Sequence, residues 1–325
     1  MKVLVTGATS LIGRHTVEVL ARHGHDVSTF QRGNAHGVPV TRGEITDRDA
    51  VERACAGQEA VVHLAAKVGV TGAWPEYERS NVAGTELLLD VARRAGIGRF
   101  VHVSSPSVAH SGSALVGVGA AAADPTTTRG HYATSKAMAE IVALDASSDE
   151  FPVVAVRPHL VWGPGDTQLI GRIVERARRG RLALIGSGAA LIDTTYVTNA
   201  ADALVAALDR APTIGGRTFV VSNGEPRTVN ELMVRITAAA GLDWRPRRVP
   251  ASLAKVGGRL AERLWDRLGR TDDPPMTSFL AEQLSTAHWF DQRQTRAALD
   301  WEPAVPLAAG FEQLRTSFDT ERHSG

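Results

Sequence analysis

Six short runs rich in β-branched residues alternate with segments of helical period through the first half of the chain. No other feature restricts the fold as strongly. The runs are Lys2–Thr6, Asp26–Phe30, Val38–Thr41, Ala60–Leu64, Arg99–Ser104 and Pro152–Arg157. Apolar residues recur at helical spacing in Leu11–His23, ended by Gly24, in Asp47–Cys55, in Arg79–Ala95, ended by Gly96, and in Tyr132–Ser147. Parallel strands need long crossovers, and helices supply them. The pattern predicts an α/β fold, a doubly wound parallel sheet with right-handed crossovers.

The first run leads into TGATSLIG, Thr6 to Gly13, and then a helix. A helix start offers unpaired N–H groups and a positive dipole end to an anion. In a dinucleotide-binding turn the first glycine allows the bend, the second lets backbone approach a pyrophosphate, and the third lets helix pack on strand. Gly7 and Gly13 keep the first and last roles, with Thr9, Leu11 and Ile12 between and around them. Ser10 replaces the middle glycine. It is the smallest polar substitute, able to cap the helix at a small steric cost near a phosphate. Taken alone, the turn also suits a strand–turn–helix that binds no nucleotide.

Two further fragments carry chemistry. In HYATSK, residues 131–136, Tyr132 and Lys136 are four apart and share a helix face. An ammonium beside a phenol lowers the phenol pKa and makes it a proton donor or acceptor near neutral pH. In FVHVSSPSV, residues 100–108, Ser104 and Ser105 lie just past the fifth run, at the edge where open α/β sheets bind ligands. Each also has an ordinary reading, as a surface pair and as a turn cap before Pro106.

In this order the fragments resemble the short-chain dehydrogenase/reductase family, and more closely its extended subfamily. HLAA at 63–66, SNVAGT at 80–85 and VRPHLVWGPGD at 156–166 look like recurring stretches of that subfamily. The resemblance implies a Rossmann sheet with a smaller C-terminal substrate lobe. Residues 1–162 would form the dinucleotide-binding domain, with 194–221 returning to it, and 163–193 with 222–325 the lobe. Tyr132 would be the acid/base on the substrate oxygen. Lys136 would hold the nicotinamide ribose and tune the tyrosine, and Ser105 would bond the substrate oxygen. Asn81 matches an asparagine supporting the proton relay, and reads equally well as structural. Leu64, Ala65, Ala66 and Lys67 would line the cofactor, with Glu44 and Ile45 near the adenine. Pro158, His159 and Leu160 would lie behind the nicotinamide. No metal is implied: the histidines lack ligand spacing, and Cys55 is the one cysteine.

The second run ends in VSTFQRG, with Gln31 where the family carries an acid and Arg32 beside it. An acid there accepts from the ribose 2′-OH and repels a 2′-phosphate. An arginine gives a 2′-phosphate a planar, charge-assisted partner. NADP(H) is therefore expected, with NAD(H) the alternative. A phosphate anchor of this kind would offset affinity lost at Ser10.

RPHLVWGPGD, LIDTTYVTNAADA at 191–203 and FVVSNGEPRTVNEL at 219–232 are similar to the branch holding 3β-hydroxysteroid dehydrogenases, sterol-4-carboxylate 3-dehydrogenases and 2-alkyl-3-oxoalkanoate reductases. That implies a small apolar alcohol or ketone substrate. The alternatives are a nucleotide-sugar epimerase, dehydratase or reductase, and a dinucleotide-sensing regulator without catalysis. Near-balanced charge, 36 basic against 35 acidic residues, argues against a nucleic-acid partner. No apolar stretch approaches the roughly 18 residues of a membrane span. No signal-peptide pattern opens the sequence, so a cytoplasmic location is expected.

A homodimer is expected through Arg79–Ala95 and Tyr132–Ser147, whose Leu87, Leu88, Val91, Met138, Ile141 and Val142 exceed what one sheet face needs. The loop 111–130, rich in Gly, Ala, Ser and Thr, reads as a substrate loop without regular elements, despite Leu115-Val116. Residues 320–325 read as frayed. Arg245–Arg270 holds eight Lys/Arg and two acids, net +6, with Leu253, Val256, Leu260, Leu264 and Leu268 on one helical face. It reads as a lid or subunit-contact helix with a solvated charged edge. Contact with a membrane surface is the alternative.

Overall fold

The computed structural model describes residues 1–325 apart from 35–36, 70–71, 111, 269–281 and 325, and apart from the side chains of 262, 266 and 324. Ser111, Arg270 and Gly325, which bound three of the expected segments, lie outside the described residues. The strands are β1 (Lys2–Thr6), β2 (Asp26–Gln31), β3 (Val40–Arg42), β4 (Ala60–His63), β5 (Arg99–Val103), β6 (Leu115–Val118), β7 (Val153–Pro158), β8 (Val161–Trp162), β9 (Leu184–Ile185), β10 (Leu191–Ile192), β11 (Thr195–Tyr196), β12 (Thr218–Val221), β13 (Arg227–Thr228), β14 (Arg248–Val249) and β15 (His288–Phe290). The helices are α1 (Leu11–Arg22), α2 (Arg48–Cys55), α3 (Trp74–Tyr77), α4 (Gly84–Arg94), α5 (His131–Asp145), α6 (Ile170–Arg178), α7 (Val197–Ile214), α8 (Val229–Ala239), α9 (Ala251–Arg267), α10 (Arg293–Leu299) and α11 (Leu307–Ser324).

The main sheet is parallel throughout, in the order β12-β7-β5-β4-β1-β2-β3. It is a doubly wound sheet of the Rossmann type. The chain builds outward from β1 to β3, then crosses to β4 and builds the other way. The reversal therefore lies between β1 and β4, and their carboxyl ends flank the crevice such sheets use for ligands. Side-chain parity fixes the two faces. Val3 and Val5 join Val62, Val101 and Leu204 in one core, while Leu4 joins Phe30, Val61, Leu88 and Phe100 in the other. With both faces covered, the strands read as continuous apolar runs.

A further core holds Trp162, Ile192, Tyr196, Leu232 and Phe311. Trp162 stacks on Phe311 at 4.6 Å and meets Tyr196 edge-on at 5.4 Å, while its indole N–H donates to Thr194 Oγ1. These aromatic contacts bind β8, β11 and α11 together.

Four sequence expectations change. The loop after β5 contains a strand: β6 pairs in parallel with β15, in a sheet ordered β13-β10-β15-β6. Four residues that include a glycine carry no usable alternation, and the partner strand lies far along the chain. The helix expected over Arg79–Ala95 instead begins as α3, widens through a π-helical turn at Glu78–Ala83, and becomes α4. Residues 320–324, expected to fray, continue as α11, where Arg322 donates to the Ala240 carbonyl. Finally, Leu88 and Val91, expected on an outer subunit face, are core residues at 0% and 3% exposure. Leu87, Met138, Ile141 and Val142 remain half-buried.

Candidate active site

The glycine turn is a close-packed cradle. Gly7 has φ +71°, and a Cβ there would lie 2.8 Å from the Ala65 nitrogen; at Gly13 it would lie 2.5 Å from the Gly7 oxygen. Both positions exclude any side chain. Ser10 caps α1: its Oγ accepts from the Gly13 N–H at 3.0 Å and donates to the Gly7 carbonyl at 2.9 Å. Its hydroxyl is thus engaged by the turn itself. The cap that the sequence allows Ser10 is present. The turn rests on the segment after β4, where the Ala65 N–H donates to Thr6 Oγ1 at 3.1 Å.

The other residues expected at a cofactor group around the same edge, with differences. Gln31 ends β2 with its amide buried, and neither amide atom has a partner among the described residues. Arg32 is exposed. Arg42 bonds Asn34. Glu44 is exposed, while Ile45 is buried against Gly84. The Lys67 ammonium pairs with Glu76 at 2.8 Å and lies over the Tyr77 ring. Pro158 ends β7. The His159 N–H donates to the Val221 carbonyl, and Leu160 takes a left-handed φ of 41°. A glycine cradle that any Cβ would fill, at a helix start beside an orphaned buried amide, fits a dinucleotide.

Past the end of β5, the Ser105 hydroxyl lies beside the Tyr132 phenol, close enough to act on its pKa. Ser105 also meets Ser107 Oγ at 2.9 Å. Ser104 is buried, and its hydroxyl has no partner among the described residues. Burial raises the Tyr132 pKa above its usual value, the Ser105 hydroxyl opposes this, and Tyr77 adds to it. The lowering expected from Lys136 is not seen. Lys136 Nζ turns to the β5 edge, donating to the Val103 carbonyl at 2.7 Å and lying 3.4 Å from His102 Nε2. Burial lowers its own pKa to about 8, against the pull of Glu140. Helical spacing puts the two side chains on one face, but it does not say where a four-carbon stem ends.

A buried hydrogen-bond chain supports this pair. Asn81 lies in the π-helical turn, 1% exposed. Its Oδ1 accepts from the Lys67 N–H, and its Nδ2 donates to the Lys67 carbonyl and to Ser135 Oγ at 2.9 Å. Ser135 Oγ donates in turn to the Tyr132 carbonyl. Thr85 Oγ1 donates to the Asn81 carbonyl at 2.6 Å, so it must accept from His63 Nε2 at 3.0 Å. His63 Nδ1 then accepts from Thr6 Oγ1 at 2.7 Å. One tautomer satisfies the whole chain from β1 to α5.

Sequence reading missed His63, Thr85 and Ser135. It also missed Glu140 and Arg157, both 1% exposed. Arg157 donates through Nε to Glu140 at 2.8 Å, makes a second bond to the same carboxylate, and reaches the Ala121 carbonyl at 2.7 Å. It thus ties α5 to the segment before it. The four-residue step from Lys136 to Glu140 was the available signal. His131 bonds the Gly72 carbonyl and packs against Trp74 and Tyr77.

The NAD dependent epimerase/dehydratase family model matches residues 3–222. A 2-alkyl-3-oxoalkanoate reductase of Stenotrophomonas maltophilia (strain K279a) is 39% identical, over 98% of this chain and 99% of its own. A 3 beta-hydroxysteroid dehydrogenase/Delta 5-->4-isomerase of Mycobacterium tuberculosis (strain CDC 1551 / Oshkosh) is 31% identical, over 93% of this chain and 86% of its own. Among solved structures, UDP-Glucuronic acid 4-epimerase from Bacillus cereus in complex with NAD has a TM-score of 0.75 at 19% identity, over 99% of both chains. That last likeness is one of fold.

Proposed function

This chain belongs to the NAD dependent epimerase/dehydratase family, and we propose that it interconverts a secondary alcohol and a ketone on an apolar substrate of the 3-hydroxy/3-oxo alkanoate, sterol or steroid type. The observation that carries this is the Ser105 hydroxyl beside the Tyr132 phenol at the carboxyl edge of β5, with Lys136 in the same helix. The substrate class rests on end-to-end similarity to a reductase of 2-alkyl-3-oxoalkanoates.

When bound, the nicotinamide supplies or accepts the hydride. The chain manages the proton. In reduction Ser105 holds the carbonyl oxygen and Tyr132 donates its phenolic proton to that oxygen as the alcohol forms. A raised phenol pKa keeps that proton in place until the oxygen becomes basic. Lys136 Nζ, on the Val103 carbonyl, fixes α5 against the β5 edge and so positions Tyr132 beside Ser105. The turn Gly7–Gly13, Leu64–Lys67 and Pro158–Leu160 would hold the cofactor, with Glu44 and Ile45 toward its adenine. Asn81 keeps the β4 loop and α5 in register. Residues 163–193 and 222–325, with β6 joined to them, would carry the substrate.

For the cofactor, the lack of an acid at Gln31 and the exposed guanidinium of Arg32 favour NADP(H) over NAD(H). Leu87, Met138, Ile141 and Val142 would meet a second copy, giving a homodimer; sedimentation as a monomer at micromolar concentration would contradict this. The substrate reading is tested with 3-oxo acids, apolar 3-ketones, sterols and UDP- or dTDP-sugars, each with NADPH and NADH at the nicotinamide absorbance. Turnover of the apolar ketones is expected. Turnover of sugars alone would favour a nucleotide-sugar enzyme.

A further inference from the structure

The leucine stripe of α9 faces solvent. Leu253, Val256, Leu260, Leu264 and Leu268 are 62%, 53%, 59%, 50% and 61% exposed. The side turned inward carries Ala254 and Gly258, both buried, and Ala261 and Trp265, both half-buried. Ala254 packs on Ile185 of β9. Lys255 lies 4.0 Å from Glu282, which also pairs with Arg129, so the first turn of α9 is anchored to the body. Arg259, Arg263 and Arg267 run along one edge of the stripe and are exposed. A helix on a protein surface ordinarily buries its apolar stripe and solvates its charged face. Here the apolar stripe and the cationic edge share the outward side. Large apolar side chains grouped this way mark an interaction surface.

We propose that this face of α9 docks on an anionic lipid surface. Charge selects the occupant. The segment Arg245–Arg270 is net +6, and anionic headgroups supply the counter-charge while the leucines enter the acyl boundary. A second copy paired antiparallel through the same patch would set the arginine edge against itself. Arginine stems can lie along the apolar layer with their guanidinium groups at the headgroups. The contact is peripheral, because no helix among the described residues is long and apolar enough to cross a membrane.

The test needs neither substrate nor cofactor, so it fails or succeeds independently of the proposed reaction. The full chain is sedimented with vesicles of phosphatidylcholine alone, and with about 30% phosphatidylglycerol at low salt. Partition onto the anionic vesicles, weakening as salt rises, is expected. Joint Arg259→Gln, Arg263→Gln and Arg267→Gln should reduce it on the order of a hundredfold. Leu260→Ser with Leu264→Ser should reduce it at least about tenfold. Both variants should keep the parent's melting temperature. Absence of binding to either vesicle, or unchanged binding in both variants, overturns the proposal. So does an oligomer that Leu260→Ser with Leu264→Ser dissociates in the absence of lipid.

Discussion

Lys136 Nζ donates to the Val103 carbonyl at 2.7 Å. This bond fastens α5 to the end of β5, two residues before Ser105. The strand edge and α5 are therefore tied together, and the geometry of Tyr132 against Ser105 depends on both.

Tyr132→Phe keeps the ring and removes the proton. Turnover should fall by about 10²–10⁴-fold, the range for a lost general acid. NADPH binding, followed by fluorescence, should be nearly unchanged. A Phe variant with normal turnover would remove the basis of the proposed chemistry.

Ser10 contributes as a cap. Ser10→Ala should lower unfolding stability by about 1 kcal/mol, and Ser10→Gly by only a few tenths. Urea unfolding of the two variants separates them. A larger loss in the glycine variant would contradict the capping geometry.

Asn81→Ala leaves the Lys67 backbone N–H and carbonyl without the side-chain bonds they make now. Stranding a fully buried polar group costs about 1–3 kcal/mol, and these half-buried ones less. The variant should melt lower, with kcat reduced more than cofactor affinity. Full activity would assign the residue to neither fold nor relay.

Acid should destabilise the fold through its buried imidazoles. Burial holds His63 and His159 to about 3 and His288 to about 4, and lowers His110 as well. His110 and His288 meet edge-on at 5.0 Å, with His159 next to His288 at 6.3 Å. A histidine with a depressed folded pKa binds more protons when unfolded. Its stabilisation is complete above an unfolded pKa of about 6.5 and is lost as pH falls toward the folded values. At pH 5 the loss should be about 2 kcal/mol for each of His63 and His159. Urea midpoints that stay level from pH 7 to 5 would contradict this.

NADPH should outperform NADH in kcat/KM. Arg32→Ala with Gln31→Asp should shift the preference toward NADH, because the new acid accepts from a 2′-OH and repels a 2′-phosphate. Equal or better kinetics with NADH in the parent would show that Arg32 has no part in the choice.

The sequence by itself determined the succession of strands and helices, the glycine turn, and the order in which Ser105, Tyr132 and Lys136 follow one another. These are local properties. Hydrophobic period, a steric demand at Gly7 and Gly13, and a four-residue step on α5 are each written within a few turns of chain. Only the tertiary structure decided where β6 pairs, which hydroxyls His63 joins, where the Lys136 stem ends, and that α9 turns Ala254 and Gly258 inward while its leucines face out. A strand partner distant along the chain, a tautomer fixed by two threonines on different elements, and the choice of buried helix face depend on what lies opposite in space. Sequence spacing cannot carry that information, because packing and hydrogen-bond satisfaction are settled between elements rather than within them.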